Sequence, residues 1–297
     1  MSKNSQRIIL ITGATGQQGG AAYRHLRKRG FKLRAFVRDP ESDKARQLRA
    51  GGEEVFHGNL DDPDSLLRAL EGVYGVYSVQ PTSAEAAVEI KQGLALIEAA
   101  NRQGVSRFVY SSVGSADEQT GIADFESKGK IEEHLRSSGL DYTIFRPVFF
   151  MENWQTIFGT PIQEGRIPLP LSPATKLQMV AVEDIGAFIA LAFEHESKWR
   201  NRTFSLAGDE LSMQEIAEAL SRAAAKPVQY TQVPWDAFEQ QAGHGFTVMF
   251  RWFETHGYHV DLDAVKQEYP QTTDFHRWLE AYWRAHNMPR EAIVTSA

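Results

Sequence analysis

The sequence predicts an α/β fold, in which a doubly wound parallel sheet is followed by a smaller, mostly helical C-terminal lobe. Short apolar runs alternate with segments at helical spacing through the first half of the chain, and the connections between them are short. The first run, residues 8–11, is continuously apolar, as expected for a parallel strand buried on both faces. Repeated strand–helix units of this kind build a parallel sheet with helices on both sides.

The predicted elements follow one another in the order that such a sheet requires. Strands are expected at residues 7–12, 32–37, 54–58, 75–79, 107–111 and 141–146. Helices are expected at residues 21–29, 42–50, 62–70, 85–103 and 127–138. Asp62 is a favourable N-cap residue, and Pro63 suits the first helical position because its fixed φ matches the helix.

The pattern changes after Pro147, where several prolines divide the chain into irregular segments. Asp184 precedes an apolar helical run, and Ser212 with Glu215 has the spacing of a capping box. We therefore expect one domain over residues 1–150 and a smaller lobe over residues 151–297, with chain segments able to cross between the two.

Composition excludes several classes of function. The 297 residues include no cysteine, which excludes disulfides, thiolate metal sites and a cysteine nucleophile. The net charge is −6 without a basic block, so we expect no direct nucleic-acid binding. His256 and His259 lack the further ligands of a metal site, so no metal is expected.

The longest purely apolar run, from Ala187 to Phe193, is far shorter than the roughly 20 residues of a membrane helix, and the polar N-terminus lacks the apolar core of a secretory signal. We therefore expect a cytoplasmic protein without membrane association.

A glycine-rich turn carries the strongest functional signal. It follows the first predicted strand, opens the first helix, and consists of Gly13, Ala14, Thr15, Gly16, Gln17, Gln18 and Gly19. Glycine lets the backbone approach a pyrophosphate, whose charge then lies at the N-terminus of the helix. The spacing is GxxGxxG rather than GxGxxG, and a tight turn without a ligand is the alternative interpretation. The position in the first strand–helix unit favours a dinucleotide site.

The end of the second strand indicates which dinucleotide is bound. Arg38 stands there, followed by Asp39. A guanidinium suits the 2′-phosphate of NADP, whereas an acidic residue would hold the ribose hydroxyl of NAD. We therefore expect NADP, and NAD remains open because Asp39 is adjacent.

Several segments in order resemble one family. The glycine turn, Arg38-Asp-Pro40 and Gly58-Asn-Leu-Asp-Asp62 are similar to the atypical short-chain dehydrogenase/reductases, which have a Rossmann fold. The NmrA-like branch of that family is indicated by three later segments, which lie at residues 89–93, 124–132 and 146–153, and residues 274–279 are similar to the closing helix of that branch. The resemblance covers nearly the whole chain.

The resemblance implies a set of cofactor-binding residues. The glycine turn would hold the pyrophosphate, and Arg38 the adenosine phosphate. The adenine would be flanked by Asn59, Leu60 and Asp61, where many relatives have Asp in place of Asn59. The nicotinamide half would be met by Gln80, Pro81, Thr82, Lys91 and Lys128, with Phe149, Phe150 and Asn153 closing over the ring.

The catalytic position departs from the wider family. Active members typically use a tyrosine four residues before a lysine, and the residue four before Lys128 is Asp124. Tyr110 and Tyr142 lie on predicted strands at the wrong spacing. The remaining candidates for a catalytic role are Lys128 and the strand-end Ser111.

Two functions follow from these features. One is an NADPH-dependent reductase of a small apolar acceptor such as a quinone, an enone or a dye, with Phe149, Phe150 and Trp154 lining the pocket. The other is a dinucleotide-binding redox sensor that regulates transcription through protein partners. The missing tyrosine disfavours a sugar epimerase or dehydratase. The oligomeric state cannot be predicted.

Overall fold

The computed structural model describes residues 3–81 and 85–283. The strands, in chain order, are β1 (Ile8–Thr12), β2 (Lys32–Val37), β3 (Glu54–His57), β4 (Gly75–Ser78), β5 (Arg107–Ser111), β6 (Tyr142–Pro147), β7 (Phe149–Phe150), β8 (Arg166–Leu169), β9 (Lys176–Val180), β10 (Arg202–Leu206), β11 (Asp209–Ser212) and β12 (Gln229–Gln232). A short 3-10 helix spans Lys3–Gln6, and a π-helical turn spans Leu279–Trp283.

The helices connect these strands and follow them in sequence. They are α1 (Gln17–Lys28), α2 (Asp43–Ala50), α3 (Pro63–Ala69), α4 (Ala86–Arg102), α5 (Ala123–Ser137), α6 (Asn153–Thr156), α7 (Gly159–Gln163), α8 (Val182–Glu194), α9 (Glu196–Trp199), α10 (Met213–Ala224), α11 (Trp235–Ala242), α12 (His244–Thr255), α13 (Leu262–Glu268) and α14 (Phe275–Trp278).

The described residues divide into two compact units. The first lies within Met1–Pro147 and Val182–Leu206, and the second within Val148–Ala181 and Ala207–Ala297. The segment that contains α8, α9 and β10 therefore returns to the first unit after the chain has entered the second.

A parallel sheet of seven strands forms the centre of the first unit. The strand order is β10-β6-β5-β4-β1-β2-β3, and every neighbouring pair is parallel. The inner strand β1, which lies between β4 and β2, is almost wholly buried, as its apolar sequence requires for a strand covered on both faces. The predicted doubly wound α/β fold is confirmed.

The sequence located most elements of this sheet within a few residues. Asp62 caps α3 as predicted, because its side chain accepts a hydrogen bond from the Asp64 N–H. Helix α5, however, begins at Ala123 rather than at residue 127. Strand β10 was not predicted at all, although it completes one edge of the sheet beside β6.

Helix α8 packs closely on α1 within the first unit. A Cβ atom on Gly186 would lie 2.6 Å from the backbone carbon of Ala21, so glycine is required for this approach. Asp184, which the sequence placed just before this helix, lies inside it, because the helix begins at Val182. Glu183 joins the two helices through ion pairs with Arg24 and with His25, whose Nε2 is 3.0 Å away. Burial opposes the effect of these pairs, which nevertheless lower the pKa of Glu183 to about 2.

Glu183→Gln is expected to remove a part of the stability that depends on pH. A carboxyl whose pKa is lower in the folded state stabilises the protein above its unfolded pKa, and this contribution is lost as the pH falls. Near neutral pH, the free energy of unfolding of the wild type should exceed that of the variant by about 1–2 kcal/mol. The difference is no larger because partial exposure of Glu183 weakens the ion pairs. Urea unfolding of both proteins from pH 7 down to about pH 2 would measure this difference in the free energy of unfolding. The difference should shrink mainly below about pH 4.5. A difference that stays constant over this range would contradict the assignment.

The second unit contains two small sheets as well as helices. One sheet has the order β11-β9-β7, and the other pairs β12 with β8. Ser212 and Glu215 form the predicted capping box at the start of α10. The core of this unit is rich in aromatic rings, among them Trp154, Phe250 and Phe253. Among the residues that the structure describes, no helix has the length and apolar character needed to cross a membrane.

Candidate functional site

The glycine turn leaves space for a ligand because side chains are excluded from it. Gly13 has φ +62°, a conformation that glycine adopts without strain, and its carbonyl accepts a hydrogen bond of 2.8 Å from the Gly16 N–H. A Cβ atom on Gly19 would overlap the Gly13 carbonyl and lie 2.8 Å from the Ala14 nitrogen. The backbone turn and the start of α1 can therefore be this close only with glycine at position 19.

The N-terminus of α1 is electropositive. Gly16 is the N-cap residue and offers no side chain to the free N–H groups, and the first turn contains no acidic residue. Such a helix end attracts an anion through its N–H groups and its dipole. The turn thus has the features that a pyrophosphate site needs, and the assignment of Gly13 to Gly19 to such a site stays a prediction.

Two cations follow β2. Arg38 is exposed and forms no ion pair or hydrogen bond with the described residues. Lys44, in the first turn of α2, donates a 2.9 Å hydrogen bond to the Thr15 carbonyl of the glycine turn. By contrast, the Asp39 Oδ1 atom accepts a hydrogen bond from the Glu41 N–H. The guanidinium is therefore available for a phosphate, while Asp39 is partly engaged in its own loop.

Lys44 was not singled out in the sequence, although the structure sets it against the predicted turn. It lines a groove of about 310 Å³ between α1 and α2, together with Thr15 and Gly16. Two arginines in the same groove are paired with Glu183 and Glu53. Lys44 forms no ion pair with any residue in the described ranges, so its charge is available to an anionic ligand.

The loop after β3 holds the residues predicted to flank an adenine. The Asn59 Oδ1 atom accepts a hydrogen bond from the Asp61 N–H, and Leu60 is buried. Gln92 donates a 2.9 Å hydrogen bond to Asp61 Oδ2, and the Lys91 Nζ atom lies 3.7 Å from Asp61 Oδ1. Lys91 is therefore grouped with the predicted adenine residues, although the resemblance assigned it to the nicotinamide half.

Buried polar atoms without partners lie at the ends of two central strands. Gln80 follows β4, and its Nε2 donates to Ser78 Oγ while its Oε1 has no hydrogen-bond partner among the described residues. The Ser112 Oγ atom, directly after β5, is likewise buried and unpaired within residues 3–81 and 85–283. Unpaired buried polar atoms are unfavourable, and a ligand at the carboxyl edge of the sheet would provide their partners. Pro81 is partly buried, and Thr82 lies outside the described residues.

Ser111, a predicted candidate for catalysis, has a hydrogen-bond partner that was not predicted from the sequence. Its hydroxyl is buried and donates a 2.6 Å hydrogen bond to Gln18 Oε1. The Gln18 carboxamide is thereby fixed, and its NH₂ group donates no hydrogen bond to any residue that the structure describes. No hydrogen bond joins Ser111 to Lys128 in the described part of the chain.

Lys128 lies on α5 and is paired with a carboxylate. Its Nζ atom donates to Glu89 Oε1, and the Ser127 hydroxyl donates to Glu89 Oε2. Glu89 is buried on α4, and the Lys128 side chain is 17% exposed. Sequence reasoning missed Glu89 because the partner lies on a different helix, 39 residues away.

Neither Tyr110 nor Tyr142 replaces the phenol that is missing four residues before Lys128. Burial, followed by the charges of Glu89 and Glu132, raises the pKa of Tyr110 well above its usual value, so the phenol holds its proton. Tyr142 stands at the start of β6, where its backbone pairs with Asn201. The Tyr110 phenol is therefore an unsuitable proton donor at neutral pH. Tyr142 stands at the opposite end of its strand from the carboxyl edge of the sheet.

The residues predicted to close over the nicotinamide belong to the second unit. Phe149 is buried, with its ring centroid 5.6 Å from that of Trp154. Trp154 is fully buried, and its Nε1 donates to Met179 Sδ. These two rings pack against each other in the core of the second unit, and their predicted contact with a ligand stays a prediction. Phe150 and Asn153 are partly exposed. No cluster of potential metal ligands occurs among the residues that are described.

Comparison with known proteins assigns the family. The model of the NmrA-like family matches residues 5–279. The chain belongs to this family. This NmrA-like chain is 31% identical over 234 residues to an NAD(P)H azoreductase of Xenophilus azovorans. The aligned region covers 78% of this chain and 79% of the azoreductase.

Two solved structures show the same fold. The NADPH complex of the quinone oxidoreductase QOR2 from Escherichia coli has a TM-score of 0.79 and 24% identity, over 92% of this chain and 98% of that one. NmrA, a negative transcriptional regulator in complex with NADP, has a TM-score of 0.78 and 20% identity, over 95% of this chain and 96% of that one.

Arg38→Ala tests the predicted choice of dinucleotide. If the guanidinium binds the 2′-phosphate, the substitution should weaken NADP binding by about 1.5–3 kcal/mol and leave NAD binding nearly unchanged. Isothermal titration calorimetry with both dinucleotides would measure this. Arg46→Ala is the matched control, because Arg46 is an exposed arginine on α2 whose one ion pair among the described residues is with Asp43. Equal losses for NADP and NAD would mean that Arg38 contacts a group common to both.

Proposed function

We propose that this chain binds NADP(H) at its glycine turn and reduces a small apolar acceptor such as a quinone, an enone or an azo dye. The observation that carries the proposal is the turn itself, where Gly19 meets the Gly13 backbone and Gly16 leaves the α1 N-terminus free. An anion is favourable at such a helix end. The similarity to an azoreductase supports the class of acceptor.

Each group of residues has a part in this proposed reaction. The glycine turn binds the pyrophosphate, and Arg38 with Lys44 binds the 2′-phosphate. Gln18, oriented by Ser111, donates its amide NH₂ group to the ligand. NADPH held by these residues would supply the hydride, and with it the two electrons, that reduces the acceptor. Lys128 adds positive charge at the carboxyl edge of the sheet, where ligands bind in this class of fold.

The test is a steady-state assay of NADPH consumption with a panel of quinones, enones, aldehydes and azo dyes. Calorimetry with NADP and NADPH accompanies it, so that binding and turnover are measured separately. Turnover of one acceptor class, together with binding of NADPH, is the expected result. Failure to bind either dinucleotide would overturn the proposal.

A regulatory role is the second candidate, and the missing phenol favours it. The residue four positions before Lys128 is Asp124, and Tyr110 is too deeply buried to act as an acid. A protein that binds the dinucleotide without reducing a substrate could report the redox state to a protein partner. Tight NADP(H) binding with no turnover across the panel would favour this role.

A further inference from the structure

Glu89 is a buried carboxylate with both oxygen atoms occupied. It lies in the first turn of α4, and its side chain is only 5% exposed. Oε1 accepts from the Lys128 ammonium and Oε2 from the Ser127 hydroxyl, both on α5. A buried charge is tolerated only when it is paired and hydrogen-bonded, and Glu89 meets both conditions.

The surroundings of this pair hold it in one arrangement. Helices α4 and α5 approach so closely that a Cβ atom on Gly93 would lie 2.6 Å from Ile131 Cδ1. The Ser127 hydroxyl also lies 3.0 Å from the Asp124 carbonyl, which limits its rotation. Since interiors packed at this density allow few alternative rotamers, the Lys128 ammonium has a defined position.

The pair is located where the fold places ligands. Glu89 and Lys128 belong to the first two turns of α4 and α5, the helices that follow β4 and β5. Those turns begin near the carboxyl edge of the parallel sheet. The same edge carries Gln80 and Ser112, each with a buried polar atom that has no partner among the described residues.

We propose that Glu89 is a positioning residue that fixes Lys128 as a permanent cation of the site. This inference rests on the proposed reductase function. Lys128 then stabilises the negative charge that the acceptor gains when it receives the hydride, and it does not donate a proton. The acceptor takes its proton from water, so that NADPH and one solvent proton yield NADP⁺ and the reduced acceptor.

The electrostatics of the pair support a fixed cation over an acid. If Lys128 released a proton, Glu89 would remain as a buried carboxylate without its countercharge, which is strongly unfavourable. A fixed ammonium instead needs no reorganisation when negative charge develops on the acceptor, and such preorganised charges are the effective ones in catalysis.

Lysine ammonium NMR on the full-length chain tests the positioning directly. In ¹⁵N-labelled wild type, the ammonium of Lys128 should give a resonance protected from water exchange, assigned by its loss in Lys128→Met. It should disappear in Glu89→Gln and persist in Glu98→Gln, an exposed carboxylate on the same helix. Addition of NADP⁺ should shift it. Persistence of the resonance in Glu89→Gln would overturn the positioning role.

Kinetics with an acceptor from the panel separate a cation from an acid. Lys128→Met should lower kcat by about a hundredfold, whereas Lys128→Arg, which keeps the charge and cannot release a proton, should lose about tenfold or less. Glu89→Gln should lower kcat by about tenfold or more with the NADPH Kd changed less than about threefold. Lys130→Met, an exposed position on α5, is the control.

The outcomes distinguish this inference from the proposed function. Equal losses in Lys128→Arg and Lys128→Met would make Lys128 a proton donor and overturn the inference, even if Glu89→Gln fails to fold. Parallel losses of kcat and NADPH affinity in Glu89→Gln would assign Glu89 to binding and also overturn it. If no acceptor is reduced, the reductase function fails, and the ammonium resonance with its NADP⁺ shift still decides whether Glu89 positions Lys128 at the site.

Discussion

Gly19→Ala should weaken NADPH binding by at least about a hundredfold, or by about 2.7 kcal/mol. The added Cβ atom would overlap the Gly13 carbonyl and lie 2.8 Å from the Ala14 nitrogen, and both of these are backbone atoms. The turn can accommodate the methyl group only by moving away from α1, which separates the backbone N–H groups that bind the pyrophosphate. Fluorescence titration with NADPH would measure the loss, and circular dichroism would verify that the sheet is intact.

Gly20→Ala is the matched control for this change. Its Cβ atom would meet the end of the flexible Arg24 side chain at 3.4 Å and no backbone atom closer than 3.6 Å. Alanine is also the better helix former, so the control should fold and bind NADPH within about threefold of the wild type. A folded Gly19→Ala protein with unchanged affinity would mean that the turn does not bind the phosphates.

The parts of the fold with local signals could be predicted from the sequence. The apolar run at β1 and the Asp62–Pro63 start of α3 carry their own information, and both were located correctly. Helix α5 was placed too late because Ile122, its N-cap residue, makes no side-chain cap. Strand β10 was missed because its assignment depends on pairing with β6, some 60 residues earlier, which no local pattern records.

The site was predictable to a similar degree. The backbone geometry of the glycine turn follows from residue types at fixed spacing, so it could be recognised in the sequence. The partners of charged side chains could not, because they join distant segments. Glu89 pairs with Lys128, and Lys44 reaches Thr15, only once the helices have packed. Ser111 illustrates the same limit, since its bond to Gln18 spans 93 residues and gives it a partner that spacing alone did not indicate.

A second buried ion pair in the first unit supports the strand next to the site. Glu132 on α5 is fully buried and accepts hydrogen bonds from Arg146 Nε at 2.9 Å and from a terminal nitrogen of Arg146 at 2.6 Å. Arg146, on β6, also pairs with Asp117 in the loop after β5. Although burial opposes it, pairing with Glu132 and Asp117 raises the pKa of Arg146 above its usual value. The pair thereby connects α5, β6 and the loop that follows Ser112.

Arg146→Met should therefore lower the free energy of unfolding by about 3–5 kcal/mol, because it leaves the Glu132 carboxylate buried with one partner fewer. Arg136→Met is the matched control, since Arg136 bonds the same Glu132 oxygen at 2.6 Å from a position that is 35% exposed. The free energy of unfolding of Arg136→Met should fall by about 1 kcal/mol, as for other partly solvated ion pairs. Urea unfolding followed by tryptophan fluorescence and circular dichroism would measure both variants. Equal effects of the two substitutions would show that burial of the Arg146 guanidinium adds nothing to the strength of its pair with Glu132.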